Sequence, residues 1–154
     1  MSLSRRKAVS SLGATLVAIA LRPMRSFAGE AETLAAIRAL FGEKPMQTGR
    51  VALQLPSLAE SGNLVPLTIT VDSPMTETDY VRRVCIFANR NPRPWIAAVT
   101  LGPKAAKAEF STNMRLSGTQ DVIAIAEMSD ASLWTAQANV LVTVGACDSM
   151  LMRR

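Results

Sequence analysis

The sequence predicts an all-β domain, an immunoglobulin-like antiparallel β-sandwich preceded by one helix. Two observations support this prediction. After a single helical segment, apolar and polar residues alternate in short runs, which is the period of a half-buried strand. Turn-forming residues separate these runs at intervals of about ten residues, the spacing typical of a sandwich. The part of the chain after its leader is long enough to form one domain with its own hydrophobic core, and we expect the sandwich over residues 29–144.

The first 28 residues have the pattern of an export signal. They contain a basic start at residues 4–7 (Ser-Arg-Arg-Lys), an apolar stretch from Leu12 to Leu21, and small residues before Gly29. The basic start resembles a twin-arginine signal, and ten apolar residues are too few to span a bilayer. We therefore expect a soluble, extracytoplasmic mature protein, exported by the twin-arginine route, that begins at Gly29 and has no membrane span.

The net charge of +5 comes from this leader. The leader contains five of the 17 basic residues and none of the 12 acidic residues, so the rest of the chain carries 12 charges of each sign. The net charge therefore gives no support to a nucleic-acid-binding function.

One helix and seven strands are predicted after the leader. Glu30 to Phe41 has apolar residues at helical spacing (Leu34, Ile37, Leu40), acidic residues in its first turn, and Gly42 as its C-terminal cap. Short β-rich runs follow, separated by turn signals such as Ser-Gly-Asn at 61–63 and Asn-Pro-Arg-Pro at 91–94. The predicted strands are Val51 to Leu55, Leu64 to Val71, Val81 to Phe87, Trp95 to Leu101, Ala108 to Arg115, Asp121 to Met128 and Val140 to Val144.

The alternation within the runs predicts the core. In the run 121–128 the pattern leaves two faces open, either Val122 with Ala124 and Ala126 or Ile123 with Ile125. The other predicted core residues are Leu53, Leu55, Ile69, Val71, Val84 and Ile86.

The absence of histidine from the sequence restricts the possible chemistry. Without histidine there is no Ser-His-Asp triad, no Cys-His dyad, no His-ligated metal and no axial His ligand for haem. The sequence also lacks a Cys-x-x-Cys motif and a glycine-rich phosphate loop. We therefore expect no metal site, no cofactor and no self-sufficient enzymatic activity.

Cys147 is the candidate functional residue. It follows the last predicted strand and the pair Gly145-Ala146, and it stands seven residues before the C-terminus. A thiol near a free end of the chain can reach other proteins, so this position favours a carrier over an enzyme. Cys85, in contrast, lies inside a predicted strand, where a free thiol packs as a small apolar residue. A disulfide between Cys85 and Cys147 is the alternative in an oxidising compartment.

Several blocks, in order along the chain, carry a resemblance to a known family. They are Leu55-Pro56, Ala59 to Asn63, Val65-Pro66, Ser73 to Thr76, Asn91 to Pro94, Leu116 with Thr119-Gln120, Ala126 to Asp130, and Val142 to Gly145. Together they resemble the SoxY family, the Y subunits of the sulfur-oxidation carrier. The resemblance implies a periplasmic immunoglobulin-like domain that forms a heterodimer with a SoxZ partner.

The resemblance also implies a function for Cys147. In SoxY proteins a cysteine within a C-terminal Gly-Gly-Cys-Gly-Gly arm carries the sulfur substrate covalently, and Cys147 matches that cysteine. The implied partners are a c-type cytochrome that joins thiosulfate to the cysteine, a hydrolase that releases sulfate, and a sulfane dehydrogenase. The carrier itself is expected to catalyse nothing and to bind no cofactor.

The predicted arm, residues 145–154, departs from the family pattern around the cysteine. It reads Gly145-Ala146-Cys147-Asp148-Ser149, and side chains in place of glycines restrict the backbone. Asp148 also places a negative charge beside the thiol. Two alternatives to a sulfur carrier therefore stay open: a divergent paralogue that carries no sulfur, and a binding or assembly module stapled by the Cys85–Cys147 disulfide.

Overall fold

The computed structural model describes residues 29–146, and its helix and strands follow the predicted order. The predicted leader (residues 1–28) and residues 147–154, including Cys147 and Asp148, lie outside this range. The elements are α1 (Glu30–Phe41), β1 (Met46–Gln47), β2 (Val51–Gln54), β3 (Leu58–Ser61), β4 (Val65–Val71), β5 (Val81–Ala88), β6 (Trp95–Thr100), β7 (Glu109–Met114), β8 (Gln120–Met128) and β9 (Leu133–Val144).

Two sheets form the predicted β-sandwich. The larger sheet has the order β1-β9-β8-β5-β6, with β3 also pairing with β9, and the smaller sheet has the order β2-β4-β7. The strand pairs are antiparallel except for β1 with β9 and β3 with β9, which are parallel. No helix within residues 29–146 is long and apolar enough to cross a membrane.

The main core lies between the two sheets. Ile69 and Val71 of β4 face Val84 and Ile86 of β5, and all four are buried as predicted. On β8 the buried face toward the smaller sheet is Val122, Ala124 and Ala126, each fully buried, which resolves the choice that the alternation left open. Leu53 and Leu55 are only partly buried, because they pack at the margin of this core.

A second apolar layer lies between the larger sheet and α1. The helix buries Ile37 and Phe41 against the opposite face of β5, which includes Cys85 and Phe87. Leu34 has the spacing of an apolar-face residue but is 46% exposed. The buried face of α1 instead runs through Thr33, whose hydroxyl donates to the Gly29 carbonyl at 3.3 Å.

The C-terminal strand is longer than predicted. β9 begins at Leu133 rather than at Val140 and forms a hairpin with β8. The Asp130 carboxylate accepts the Ser132 amide at 2.9 Å within the turn, and the hydrogen bonds from Ser132 hold the pKa of Asp130 below its ordinary value. This turn brings β9 into the larger sheet beside β8.

Candidate functional site

The candidate site is the end of the sandwich from which the chain continues to Cys147. β3 runs parallel to the last part of β9, with Ala59 opposite Val142 and Ser61 opposite Val144. Gly145 follows β9 and is buried, and Ala146 is partly buried. The chain is therefore still in contact with the domain one residue before Cys147.

Three backbone segments meet at this end of the domain. The Gly62 amide donates to the Val144 carbonyl at 2.8 Å, and the Leu116 amide donates to the Gly62 carbonyl at 2.8 Å. The Ala146 amide then donates to the Leu116 carbonyl at 2.9 Å. We call Gly62, Leu116 and residues 142–146 the arm base. Its hydrogen bonds hold the chain to the domain as far as Ala146.

Gly62 allows this close approach because it has no side chain. A Cβ atom at position 62 would collide with the Leu116 carbonyl oxygen and would stand 3.0 Å from the Ala146 nitrogen. The three backbone segments could not approach this closely at a residue that carries a side chain. The Ser-Gly-Asn signal at 61–63 correctly predicts a turn, but a turn signal alone does not indicate that Gly62 also holds the end of β9.

Hydrogen bonds from side chains stabilise the loops next to the arm base. The Thr119 hydroxyl accepts the Val142 amide at 2.9 Å. The Asn91 side chain accepts the Ser117 amide and the Gln120 side chain, both at 2.9 Å, and donates to the Arg115 carbonyl at 2.8 Å. Residues 59–63, 91–94, 116–120 and 142–145, which belong to separate blocks of the resemblance, therefore converge on one end of the domain.

Cys85 has a different environment. It is a free cysteine, fully buried beneath α1. Burial raises the pKa of its thiol, which the nearby Arg83 guanidinium opposes and the Glu127 carboxylate reinforces. A buried thiol with a raised pKa contains little thiolate at neutral pH and is a poor nucleophile. Cys85 is therefore a packing residue, as its position in a strand predicted.

The structure leaves Cys85 unpaired and places it far from the end of β9. Cys85 pairs with Ile125, which pairs with Thr135 on β9. Val144 lies nine residues beyond Thr135, about 30 Å further along the strand. The three residues from Val144 to Cys147 span at most about 11 Å, whereas the two Cα atoms of a disulfide lie within about 7 Å of each other. The end of β9 is therefore too far from Cys85 for a bond between the two cysteines.

Residues 29–146 contain no group of three or more histidine, cysteine, aspartate or glutamate side chains that could hold a metal ion. Of the predicted site residues, Gly145 and Ala146 belong to the arm base. Cys147 and Asp148 lie outside the described residues, so their predicted roles stay predictions.

Solved structures share this fold at low sequence identity. The superoxide reductase (neelaredoxin) from Ignicoccus hospitalis is 14% identical, with a TM-score of 0.55 over 75% of this chain and 94% of that one. The superoxide reductase from Nanoarchaeum equitans is 17% identical, with a TM-score of 0.52 over 62% of this chain and 100% of that one. At such identities the likeness concerns the fold alone.

A more specific similarity links the chain to SoxY. The structure of the sulfur carrier protein SoxY from Chlorobium limicola f. thiosulfatophilum is 29% identical, with a TM-score of 0.62 over 75% of this chain and 100% of that one. No curated protein matches the chain. The family described as "Sulfur oxidation protein SoxY" matches residues 37–147, which is most of the sequence. The chain therefore belongs to the SoxY family of sulfur oxidation proteins.

Proposed function

We propose that this chain is a covalent sulfur carrier in which Cys147 holds the intermediates of thiosulfate oxidation. The observation that carries the proposal is the extent of the family match, which runs to Cys147 and includes it. The similar structure from Chlorobium is that of a sulfur carrier protein. The arm base supports the same role, because it fixes the point from which the cysteine leaves the domain.

The proposed chemistry takes place on sulfur. The Cys147 thiolate forms a sulfur–sulfur bond with thiosulfate, and the two electrons released go to a c-type cytochrome. A hydrolase then adds water to the terminal sulfonate and releases sulfate, which leaves a persulfide on Cys147 for a sulfane dehydrogenase. The domain has no histidine to assist these steps, so the partner enzymes supply the catalytic groups.

The proposal includes a SoxZ-type partner in the periplasm. Leu58 of β3 and Leu141 of β9 are opposite each other in the parallel pair and are 58% and 53% exposed. Adjacent exposed leucines at a sheet edge favour contact with another protein. On sizing chromatography the mature chain and a SoxZ-type protein should elute together. A stable monomer that does not bind this protein would contradict the heterodimer. A Leu141→Asp variant that binds it as well as the wild type does would contradict only the place of Leu141 in the interface.

Intact mass measurement tests the carrier function directly. Protein purified from thiosulfate-grown cells should carry adducts of sulfur or sulfonate mass that dithiothreitol removes. Cys147→Ser should abolish both the adducts and thiosulfate-dependent oxygen uptake in a reconstituted system. Cys85→Ala is the matched control, because it removes the other thiol and should leave the adducts in place. Full oxygen uptake by the Cys147→Ser protein would refute the proposal.

A divergent paralogue that carries no sulfur is the second candidate. Ala146 stands where the family has glycine, and its amide is bonded to the Leu116 carbonyl. Asp148 adds a negative charge next to a thiol that has to react with an anion. This candidate predicts a protein that binds its SoxZ-type partner normally but shows no adduct under any growth condition.

A further inference from the structure

A cavity of about 260 Å³ opens beside the arm base. It is lined by Arg90, Ser117, Gly118 and Thr119. Leu116, whose carbonyl accepts the Ala146 amide, directly precedes this lining. Thr119, on the cavity wall, also accepts the Val142 amide at 2.9 Å. The cavity therefore shares its wall with the segment that leads to Cys147.

The Arg90 side chain gives the cavity a positive charge. Its Nη1 atom donates to the Thr119 carbonyl at 3.2 Å, which holds the guanidinium at the cavity. None of the ion pairs formed within residues 29–146 includes Arg90. A guanidinium has five N–H donors in a planar fork that matches two oxygens of an oxoanion, and a single bond to Thr119 uses only one of them.

The neighbouring charges reinforce this preference for an anion. Arg93 and Arg115 lie in the two loops that form this end of the domain, and both are exposed and outside any ion pair of the described residues. The carboxylate closest along the chain, Asp121, accepts hydrogen bonds from two asparagine side chains at 3.2 and 2.7 Å. This end of the domain therefore carries three arginines, Arg90 included, against the carboxylates of Glu60 and Asp121.

The cavity wall is also fixed in place. The Ser117 hydroxyl donates to the Arg90 carbonyl at 2.7 Å, and the Ser117 amide donates to Asn91. The Gln120 side chain, which is 98% buried, accepts the Arg90 amide at 2.8 Å and donates to Asn91. A preorganised wall binds an anion without the cost of ordering the loop first.

We propose that this cavity is an oxoanion subsite that takes the terminal sulfonate of the group carried on Cys147. The inference rests on the proposed function, because that function supplies the sulfonate. Cys147 directly follows Ala146, and the sulfonate extends from it by sulfur–sulfur bonds of about 2 Å each. Binding breaks no covalent bond. It pairs the sulfonate charge with the Arg90 guanidinium.

Thiosulfate titration of a mature Cys147→Ser protein tests the subsite without any covalent step. Amide NMR signals of residues 117–119 should shift as thiosulfate is added in the millimolar range. Arg90→Gln should weaken this binding by about three- to tenfold, the range for one charged hydrogen-bonding contact at a partly solvated site. Arg82→Gln is the matched control, because it removes the same charge about 26 Å away at the other end of β5 and should leave binding within twofold of the parent protein.

A second measurement uses the reactive thiol. With tetrathionate, the Cys147 thiolate displaces thiosulfate and leaves a cysteine-bound thiosulfonate, as in ordinary thiol–disulfide exchange. Arg90→Gln should slow this reaction by about three- to tenfold and leave the rate with a neutral aromatic disulfide unchanged.

The two measurements separate the subsite from the carrier function. The subsite is refuted if thiosulfate shifts no signal at residues 117–119, or if Arg90→Gln and Arg82→Gln have equal effects in both assays. Binding at the cavity by a protein whose Cys147 never acquires an adduct in cells would instead support the subsite and refute the carrier function.

Discussion

Replacing Gly62 with alanine tests the geometry of the arm base. The new Cβ would collide with the Leu116 carbonyl oxygen and crowd the Ala146 nitrogen at 3.0 Å, so one of the three backbone segments has to move. Three hydrogen bonds of 2.8 to 2.9 Å depend on their present spacing. At about 0.5–1.5 kcal/mol for each bond, loss of two or three of them should lower the free energy of unfolding by about 1–4.5 kcal/mol.

Urea unfolding of the mature protein measures this effect. Gly102→Ala is the matched control, because a Cβ at position 102 meets nothing within 4 Å and should change the free energy of unfolding by less than about 1 kcal/mol in either direction. Amide exchange at Leu116 and Ala146 should also be faster in Gly62→Ala than in the control. A Gly62→Ala protein as stable as Gly102→Ala, with unchanged exchange at these two amides, would show that the close approach is not needed.

Two further predictions concern the larger sheet. Glu127 accepts two hydrogen bonds from Arg83, at 2.7 and 3.1 Å, and its side chain is only 14% exposed; Glu127→Gln should therefore lower the urea midpoint by the equivalent of about 1–2 kcal/mol. Glu43→Gln, which breaks an exposed ion pair with Arg38, should lower the free energy of unfolding by less than about 0.5 kcal/mol. Equal losses of stability in Glu127→Gln and Glu43→Gln would contradict this prediction. Cys85→Ala should cost about 1 kcal/mol at neutral pH through the cavity it leaves. Burial raises the pKa of Cys85 in the folded state. The wild type should therefore lose stability relative to Cys85→Ala as the pH rises above about 8.5, the ordinary thiol pKa. A stability difference between the two proteins that stays constant up to about pH 10 would contradict the raised pKa.

Elements with a local sequence signal were predicted well. The bounds of α1 agree with the prediction at both ends, because Gly42 caps the helix with a bond from its amide to the Arg38 carbonyl at 2.8 Å. β4 and β5 agree within one residue at each end. Their alternating or continuous apolar runs reflect burial that each strand achieves through its own side chains.

Elements that depend on distant partners were missed or shortened. In β3 only Ala59 is buried, so the alternation gives no signal, and the strand forms because it pairs with β9, more than 80 residues later. The part of β9 before Val140 contains Ala136, Ala138 and Asn139, residue types that are depleted in strands. Its pairing with β8 over eight residues outweighs this local preference.

The residues of the candidate site also divide into those with a local sequence signal and those that depend on distant partners. Cys147 could be selected from the sequence because it stands alone beyond the last strand. The arm base could not, because Gly62, Leu116 and Ala146 are far apart in sequence and meet only after both sheets have formed. Arg90 gave no sequence signal either, since an arginine in a polar loop is ordinary.

The burial of Cys85 has a consequence for the stoichiometry of carriage. A sulfur group held through a sulfur–sulfur bond is lost whenever a second thiol of the same molecule can attack that bond. Cys85 is fully enclosed beneath α1, and its position on β5 is too far from the end of β9 to make such an attack. In the proposed function, each molecule therefore holds one cargo, on Cys147, and its own second thiol cannot release it.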